Sequence, residues 1–464
     1  MSEQKKLGLG SGIAICMGLI VATSCLVSLG QGFGLAGKDF VFAMMIVVAL
    51  NAFVALSFSE LNYMMPNVTG GLGQYMLVGL GSWASIVSNI SAYAITNVFG
   101  ISVELAMCGI VLNGLFPSVH AVIFSVIVLA SLFILNLFGI DIFAKVQSFM
   151  VVVLIGSITV LGAMGALRLG VGTPVTPEMI SPPVTGVIGV VSLSALAFWL
   201  FIGVEFVVPV SKDMKNPRRN IPLAMIITLF ILLIVQSILG NAMLDYVGTE
   251  ELLSAEMPHI VFAERLLGPS GYIWMSIVTL FAAVSTLNTV LPTVGRVLQG
   301  MADEGMLPKF LRTVNRHNAP WVGMVLIVAA VLIMTLTGYV NTNGLITMLL
   351  AGSCFWIASY VFTHLNVLVL RRRYPKAERN RKLMLFGIPQ IIGIIGCVYM
   401  IWNISDDTDA RITIYKVFGI LFAVLALFAL MWVKGAMKVN PFEPTYIGRM
   451  NIDRSIQIDT KTSL

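Results

Sequence analysis

Two glutamates lie inside apolar segments of the chain, where a charged carboxylate is costly. Glu104 lies near the middle of the apolar segment over residues 80–114, and Glu205 follows the aromatic stretch over residues 198–201. Ionisable side chains at membrane depth usually face a cavity and mark the path of a substrate or an ion. We therefore predict that Glu104 binds the ammonium group of a substrate and that Glu205 takes part in proton coupling.

Each glutamate also has a structural interpretation. Glu205 could cap backbone N–H groups that an interrupted helix leaves free. Glu104 could extend to a polar boundary, or it could pair with His364 or Lys145. Both interpretations stay open at the level of sequence.

Two apolar segments contain residues that could interrupt a helix. The first contains the small and hydroxylated stretch 18–26, and the second contains the aromatic stretch that ends at Gly203. Irregular backbone at membrane depth is tolerated only where it lines a cavity or is buried in protein. We predict a substrate site between the two interruptions. The expected substrate-binding residues are Val21, Ala22, Thr23, Ser24, Cys25, Asn97, Glu104, Phe198, Trp199, Leu200, Ile202 and Gly203.

Two aromatic side chains beside the second interruption are candidate gates. Trp199 and Phe201 would close over a bound molecule, although aromatic residues in a membrane segment more commonly only pack. Asn97 and Tyr93 offer polar groups for a substrate or for a neighbouring helix. Ser285 and Thr286 could coordinate sodium together with carbonyls of the first segment, but helical hydroxyls more often bond to their own backbone.

Other kinds of chemistry have no support in the sequence. Nucleotide-binding, nucleophile and zinc-protease motifs are missing, and all five cysteines lie in apolar stretches without the spacing of metal ligands. We expect no cofactor, no metal site and no enzymatic activity.

The composition predicts the environment in which these residues work. Of the 464 residues, 58% are hydrophobic and only 11% are charged, and the mean hydropathy is +0.94. Such a chain is suited to lipid rather than water, and a window of about 20 residues predicts about twelve spans. The fold class is therefore an all-α polytopic membrane protein. The spans lie near residues 9–34, 40–63, 80–114, 119–138, 142–166, 187–210, 221–245, 271–298, 320–338, 343–370, 383–403 and 412–434.

The basic residues indicate orientation. They concentrate in short connections, such as 212–219, 296–316 and 371–382, while the connection over 249–263 carries glutamates instead. Because Lys and Arg near span ends stay on the cytoplasmic side, we expect both termini in the cytoplasm of a bacterial cell, with the chain crossing its membrane many times. The net charge of +6 is then no sign of nucleic acid.

The layout of the spans predicts two sets of five. Each set opens with an interrupted span and has an unusual connection between its second and third members, over 66–75 and 247–268. An odd number of spans per set inverts the second set relative to the first. We expect a cytoplasmic N-terminus (1–8), a first repeat (9–166), an inverted second repeat (187–370), two additional helices (383–434) and a cytoplasmic tail (435–464).

Four separated stretches carry recognisable motifs. They are Glu60-Leu61 with Pro66 and Gly70-Gly71; Asn136 and Gly139 with Gln147; Gly203 and Glu205 with the run from Lys215 to Ala224; and Ser285 and Asn288 with Arg296, the run from Ala302 to Pro308, and Pro320. Together they resemble the amino acid, polyamine and organocation (APC) transporter superfamily, and the stretch from Trp199 to Glu205 is most similar to its basic amino acid and polyamine antiporter group. The resemblance implies a leucine-transporter-like fold of five plus five inverted spans, in which spans one and six are discontinuous.

Three departures from the family pattern concern the substrate or the coupling ion. The family usually has Gly-Ser-Gly where this chain has Ala22-Thr23-Ser24, at the point where backbone N–H groups hold a substrate carboxylate. Leu154 stands where many members have a lysine that replaces sodium. Val290 stands where the arginine/agmatine exchangers have a tryptophan, so the resemblance does not favour arginine.

The resemblance and the residues together predict a secondary transporter that moves amino acids or related amines across the cell membrane by alternating access. Two related alternatives are a polyamine or diamine exchanger anchored by Glu104 and Glu205, and a sodium-coupled symporter that uses Ser285 and Thr286. An alternative of another class is a membrane sensor or scaffold. The expected partners are a small amino acid or amine and membrane lipid, without nucleic acid, and the chain could be a monomer or a homodimer.

Overall fold

The computed structural model describes residues 6–66, 68, 71–336, 342–377, 379, 385–405 and 407–448. Several features discussed above fall partly outside these ranges. They are residues 1–5 of the predicted N-terminal segment, Gly70, part of the basic run 371–382, and residues 449–464 of the predicted tail.

The described residues form α-helices joined by turns, by the longer connections 167–185 and 304–320, and by short 3₁₀ and π-helical segments. Their only β-type pairing is an isolated bridge between Leu7 and Met214. In the first part of the chain the helices are α1 (Leu9–Ile20), α2 (Thr23–Ala36), α3 (Phe40–Met64), α4 (Leu72–Asn89), α5 (Thr96–Leu115), α6 (Ala121–Asn136) and α7 (Ile140–Ala166). In the second part they are α8 (Gly186–Ser192), α9 (Ser194–Phe198), α10 (Pro217–Val247), α11 (Thr249–Ser254), α12 (Pro258–Leu267), α13 (Pro269–Asp303), α14 (Trp321–Leu336), α15 (Thr342–Arg373), α16 (Ile388–Trp402) and α17 (Thr408–Trp432).

The helices confirm the predicted fold class. Within the described ranges, seven helical stretches are long and apolar enough to cross a membrane, and four shorter apolar helices accompany them. Helices lie at every predicted span position, because continuous apolar runs bury their own backbone hydrogen bonds most completely as helices. The protein is an all-helical, multi-pass membrane protein.

Both predicted interruptions are present in the backbone. Helix α1 ends at Ile20, the next two residues leave helical geometry, and α2 begins at Thr23 after an extended Ala22 (φ −90°, ψ 168°). In the sixth span, α9 ends at Phe198, and after a turn a 3₁₀ helix continues over Val204–Asp213. Gly203 has a φ of +100°, which disfavours residues with a side chain, and a Cβ there would lie 2.2 Å from Leu19.

The packing brings the two interrupted spans together. Helix α1 packs against the 3₁₀ helix 204–213, and α2 packs against α9. Further contacts pair α3 with α10, α5 with α13, and α6 with α14. The first four spans of one predicted set therefore contact the spans at the equivalent places in the other set, and the two interrupted spans are one of these pairs.

Both ends of the first span are in close contact with other parts of the chain. On one side Leu7 pairs with the chain after span six, because its N–H donates to the Asp213 carbonyl at 2.7 Å and its carbonyl accepts from the Lys215 N–H at 2.8 Å. On the other side α11 and α12 lie against α2. The packing there is so close that a Cβ on Gly30 would lie 2.4 Å from Pro258. We call α11 and α12 together the outer cover.

Candidate functional site

A cavity of about 30 Å³ lies between the two interruptions. This volume holds about two water molecules. Its wall is formed by residues of spans one, three, six, eight and ten. They are Leu19, Ile20, Ala22, Ser24, Thr96, Asn97, Gly100, Ile101, Glu104, Trp199, Ile202, Thr286 and Trp356.

The structure separates the predicted site residues into two groups. Those that line the cavity are Ala22, Ser24, Asn97, Glu104, Trp199 and Ile202. The others are buried but do not form part of its wall, and they are Val21, Thr23, Cys25, Phe198, Leu200, Phe201, Gly203 and Glu205.

Glu104 accepts hydrogen bonds from the N-terminal end of α2. The N–H of Thr23 donates to one carboxylate oxygen at 2.8 Å, and the N–H of Ser24 donates to the other at 3.0 Å. The first residues of a helix have N–H groups without intrahelical partners, and the helix dipole favours an anion there. A carboxylate of the protein itself therefore occupies the place where the family resemblance puts the carboxylate of a substrate.

Neither suggested partner of Glu104 is in contact with it. The His364 ring lies 3.0 Å from the Ser57 hydroxyl, and Lys145 is exposed. In the described part of the chain, no lysine or arginine lies within 4.0 Å of Glu104 or Glu205. The charge of either carboxylate is therefore not balanced by a basic side chain of this part of the protein.

Trp199 covers the cavity and is held to the first interruption. Its indole N–H donates to the Ser24 hydroxyl at 2.9 Å, and the side chain is almost completely buried. Asn97 also lines the cavity, and its amide nitrogen donates to the carbonyls of Ala92 and Tyr93 at 3.3 and 3.1 Å. This pairing leaves the side-chain oxygen of Asn97 as an acceptor in the cavity wall.

Glu205 lies behind the cavity in a cage of neutral donors. The hydroxyl of Tyr93 and the indole N–H of Trp356 donate to one oxygen at 3.1 and 2.8 Å, and the Tyr360 hydroxyl donates to the other at 2.7 Å. Sequence reasoning named Tyr93 but missed Trp356 and Tyr360. Their spacing of four residues on span ten, which places both on one helix face, was the available signal.

A chain of hydrogen-bonded side-chain amides connects spans four, five and eight to the first interruption. Asn136 donates to Asn288, Asn288 donates to Gln147, and Gln147 donates to the Ser285 hydroxyl at 2.7 Å. The hydroxyl of Ser285 in turn donates to the Gly18 carbonyl at 3.2 Å. The predicted sodium ligands are thus already engaged in hydrogen bonds.

A second chain joins the outer cover to the first interruption. The Thr23 hydroxyl donates to the Thr279 carbonyl at 3.2 Å, and the Thr279 hydroxyl, which donates to Met275, lies 3.1 Å from the His259 ring nitrogen Nε2. Since that hydroxyl already donates, it accepts from Nε2–H. Burial lowers the pKa of His259 to about 3, so this ring in α12 is neutral at pH 7.

Comparison with known proteins identifies the family. The sequence profile of the amino acid permease family matches residues 12–441. The branched-chain amino acid permease BcaP of Bacillus subtilis is 24% identical over 90% of this chain and 92% of its own length. The b(0,+)-type amino acid transporter 1 of Mus musculus is 24% identical over 93% and 89%, and the L-asparagine permease of Salmonella typhimurium is 23% identical over 79% and 75%. The resemblance to the APC superfamily is confirmed, and the chain belongs to the amino acid permease family, whose members are transporters and not enzymes.

Proposed function

We propose that this protein is a secondary active transporter that moves an amino acid or a related amine by alternating access. The observation that carries the proposal is that two interrupted spans meet at a cavity whose mostly apolar wall also contains the polar side chains of Ser24, Asn97, Glu104 and Thr286. Interrupted helices expose backbone polar groups at membrane depth, and such groups are tolerated where they surround a transported molecule. The similar proteins agree with this proposal, since each is named as a permease or transporter of amino acids.

The moving parts follow from the contacts. We assign residues 9–166 and 187–370 to two inverted repeats, 383–434 to additional helices, and both terminal segments (1–8 and 435–464) to the cytoplasm of a bacterial cell. In this scheme, opening to one side separates Leu7 from Asp213, and opening to the other separates the outer cover from α2. Trp199 would gate the cavity directly, while the fully buried Phe201 would support it.

The coupling ion is a proton in this proposal, carried by Glu205. Sodium coupling stays the alternative, because the hydroxyls of Ser285 and Thr286 donate to the carbonyls of Gly18 and Leu19, and these four oxygens could coordinate the ion instead. Replacing sodium with choline on both sides of the membrane decides between them. Uptake that stops in choline would establish the sodium symporter.

A counterflow screen tests the transport function. Purified protein in liposomes loaded with one unlabelled amino acid or amine should accumulate the same labelled compound. Trp199→Leu removes the ring that donates to Ser24 and should lower the rate at least about tenfold, because loss of closure affects transport more than folding. Trp402→Leu is the matched control, since Trp402 is 71% exposed. Equal rates in the two variants would reduce Trp199 to a packing residue, and no accumulation of any amino acid or amine would refute the function.

A further inference from the structure

The substrate class can be inferred from the place that Glu104 occupies. The start of α2 at Thr23 and Ser24 offers two N–H groups and the positive end of a helix dipole, which is a good site for a carboxylate. In this protein both N–H groups are used by Glu104, at 2.8 and 3.0 Å. Glu104 is 1% exposed and comes from another span, so the protein supplies its own anion at this position.

Two further N–H groups around the first interruption are also used. The N–H of Val21 donates to the Met17 carbonyl and that of Ala22 to the Ile20 carbonyl, both at 2.9 Å. Among the cavity side chains, the indole of Trp199 donates to Ser24 and the indole of Trp356 donates to Glu205. A second carboxylate in the cavity would meet few free donors and would lie beside a like charge, which disfavours it.

The same wall suits a cation. Glu104 presents a carboxylate that is not paired with lysine or arginine in the described residues, and Asn97 presents an amide oxygen. Both residues lie on span three, and both line the cavity. An ammonium group donates up to three hydrogen bonds and would find these acceptors together, with the apolar side chains of Ile20, Ile101 and Ile202 around them.

We propose that the transported molecule is a primary amine without a free carboxylate, such as a decarboxylated amino acid, and that Glu104 takes the place of the missing carboxylate at α2. The proposal rests on the transport function above and narrows its substrate. The ammonium binds to Glu104 and Asn97, and the apolar part of the amine extends toward Trp199 and Trp356.

Matched ligand pairs test the proposal on the unmodified protein. The pairs are isoamylamine and leucine, tyramine and tyrosine, and 1,5-diaminopentane and lysine. Leucinamide is added as a compound that keeps the bulk and the ammonium group of leucine but not its carboxylate charge. Each is added as a competitor of labelled amine uptake in the counterflow assay and as a ligand that raises the unfolding temperature. We expect each amine, and leucinamide, to bind at least about tenfold more tightly than the corresponding amino acid.

Substitution of Glu104 is a more specific test, because it should raise the affinity for one class of ligand and lower the affinity for the other. Glu104→Ala frees the N–H groups of Thr23 and Ser24, so amino acids should gain affinity while amines lose at least about tenfold. Added acetate should restore the preference for amines by filling the vacated place. Glu178→Gln is the matched control, because it removes an exposed carboxylate far from the cavity wall and should leave both preferences unchanged.

The outcomes separate the two proposals. If the unmodified protein exchanges each amino acid at the same rate as the matched amine, the proposal of a carboxylate-free substrate is refuted while the transport function stands. If Glu104→Ala folds, as judged by a single sharp peak in size-exclusion chromatography, and keeps the original preference, the role of Glu104 is refuted. If neither amines nor amino acids are exchanged, both proposals fail.

Discussion

At the scale of single residues, the two buried glutamates differ in what surrounds them. Glu104 accepts from backbone N–H groups at a helix end and faces the cavity, whereas Glu205 accepts from three neutral side chains and lies behind the wall. A carboxylate in a cage of neutral donors can hold or release a proton without losing a charged partner. Glu104 is thus suited to contact the substrate and Glu205 to sense the proton.

Glu205→Gln should flatten the dependence of transport on pH. The amide keeps the shape of the side chain. Its oxygen can accept from Tyr93 and Trp356, and its NH₂ group can donate to the Tyr360 hydroxyl oxygen, so the folded protein should lose only about 1 kcal/mol of stability. Counterflow rates at a series of pH values measure the effect, and Glu264→Gln, an exposed carboxylate in α12, is the control. A pH profile that survives in Glu205→Gln would make Glu205 a structural residue.

At the scale of elements, the first interruption depends on close contact with its supporting helices. Gly18, in the last turns of α1, lies against Gln147, so that a Cβ at this position would be 1.5 Å from the Gln147 amide nitrogen and 2.9 Å from the Ser285 hydroxyl. Only glycine lets α1 approach α7 this closely. The amide chain behind Gln147 then fixes where the helix ends and where the cavity begins.

Gly18→Ala should disturb this support. The added methyl group forces the side chain of Gln147 away from Ser285, at a cost of about 1–3 kcal/mol, and transport should fall with it. Gly10→Ala lies in the same helix with nothing within 4 Å and is the control. The double variant Gly18→Ala with Gln147→Ala should recover part of the lost stability, measured by thermal unfolding in detergent. Identical unfolding temperatures for Gly18→Ala and Gly10→Ala would contradict the proposed contact.

At the scale of the whole molecule, the two ends of the first span face different groups. The N-terminal end pairs with the basic connection after span six, and the other end lies under the outer cover, where Glu250 and Glu251 open α11. Because basic residues mark the cytoplasmic side, the connection 212–219 should lie inside the cell and the outer cover outside.

Cysteine labelling tests this orientation. Single cysteines at Lys215 and Ser254, both exposed positions, should react differently with an impermeant reagent on intact cells, with labelling at Ser254 only. All five native cysteines are buried and can be replaced to remove background. After the cells are opened both positions should react, which controls for accessibility. Labelling of Lys215→Cys rather than Ser254→Cys from outside would overturn the topology.

The sequence by itself determined the membrane environment, the positions of the spans, the two interruptions and the family. These properties are local, because hydropathy over about 20 residues decides which segments enter lipid and short runs of small or glycine residues decide where a helix can break. Glu104 and Glu205 were identified for the same reason, since a carboxylate in an apolar run is visible without any knowledge of its neighbours.

Only the tertiary structure decided what those residues contact. That Glu104 binds the N–H groups of Thr23 and Ser24 depends on how spans one and three are rotated against each other, across a separation of about 80 residues. The cage around Glu205 likewise combines residues of spans three, six and ten. Such contacts depend on packing between helices, and no local pattern of the sequence encodes the angle at which two helices meet.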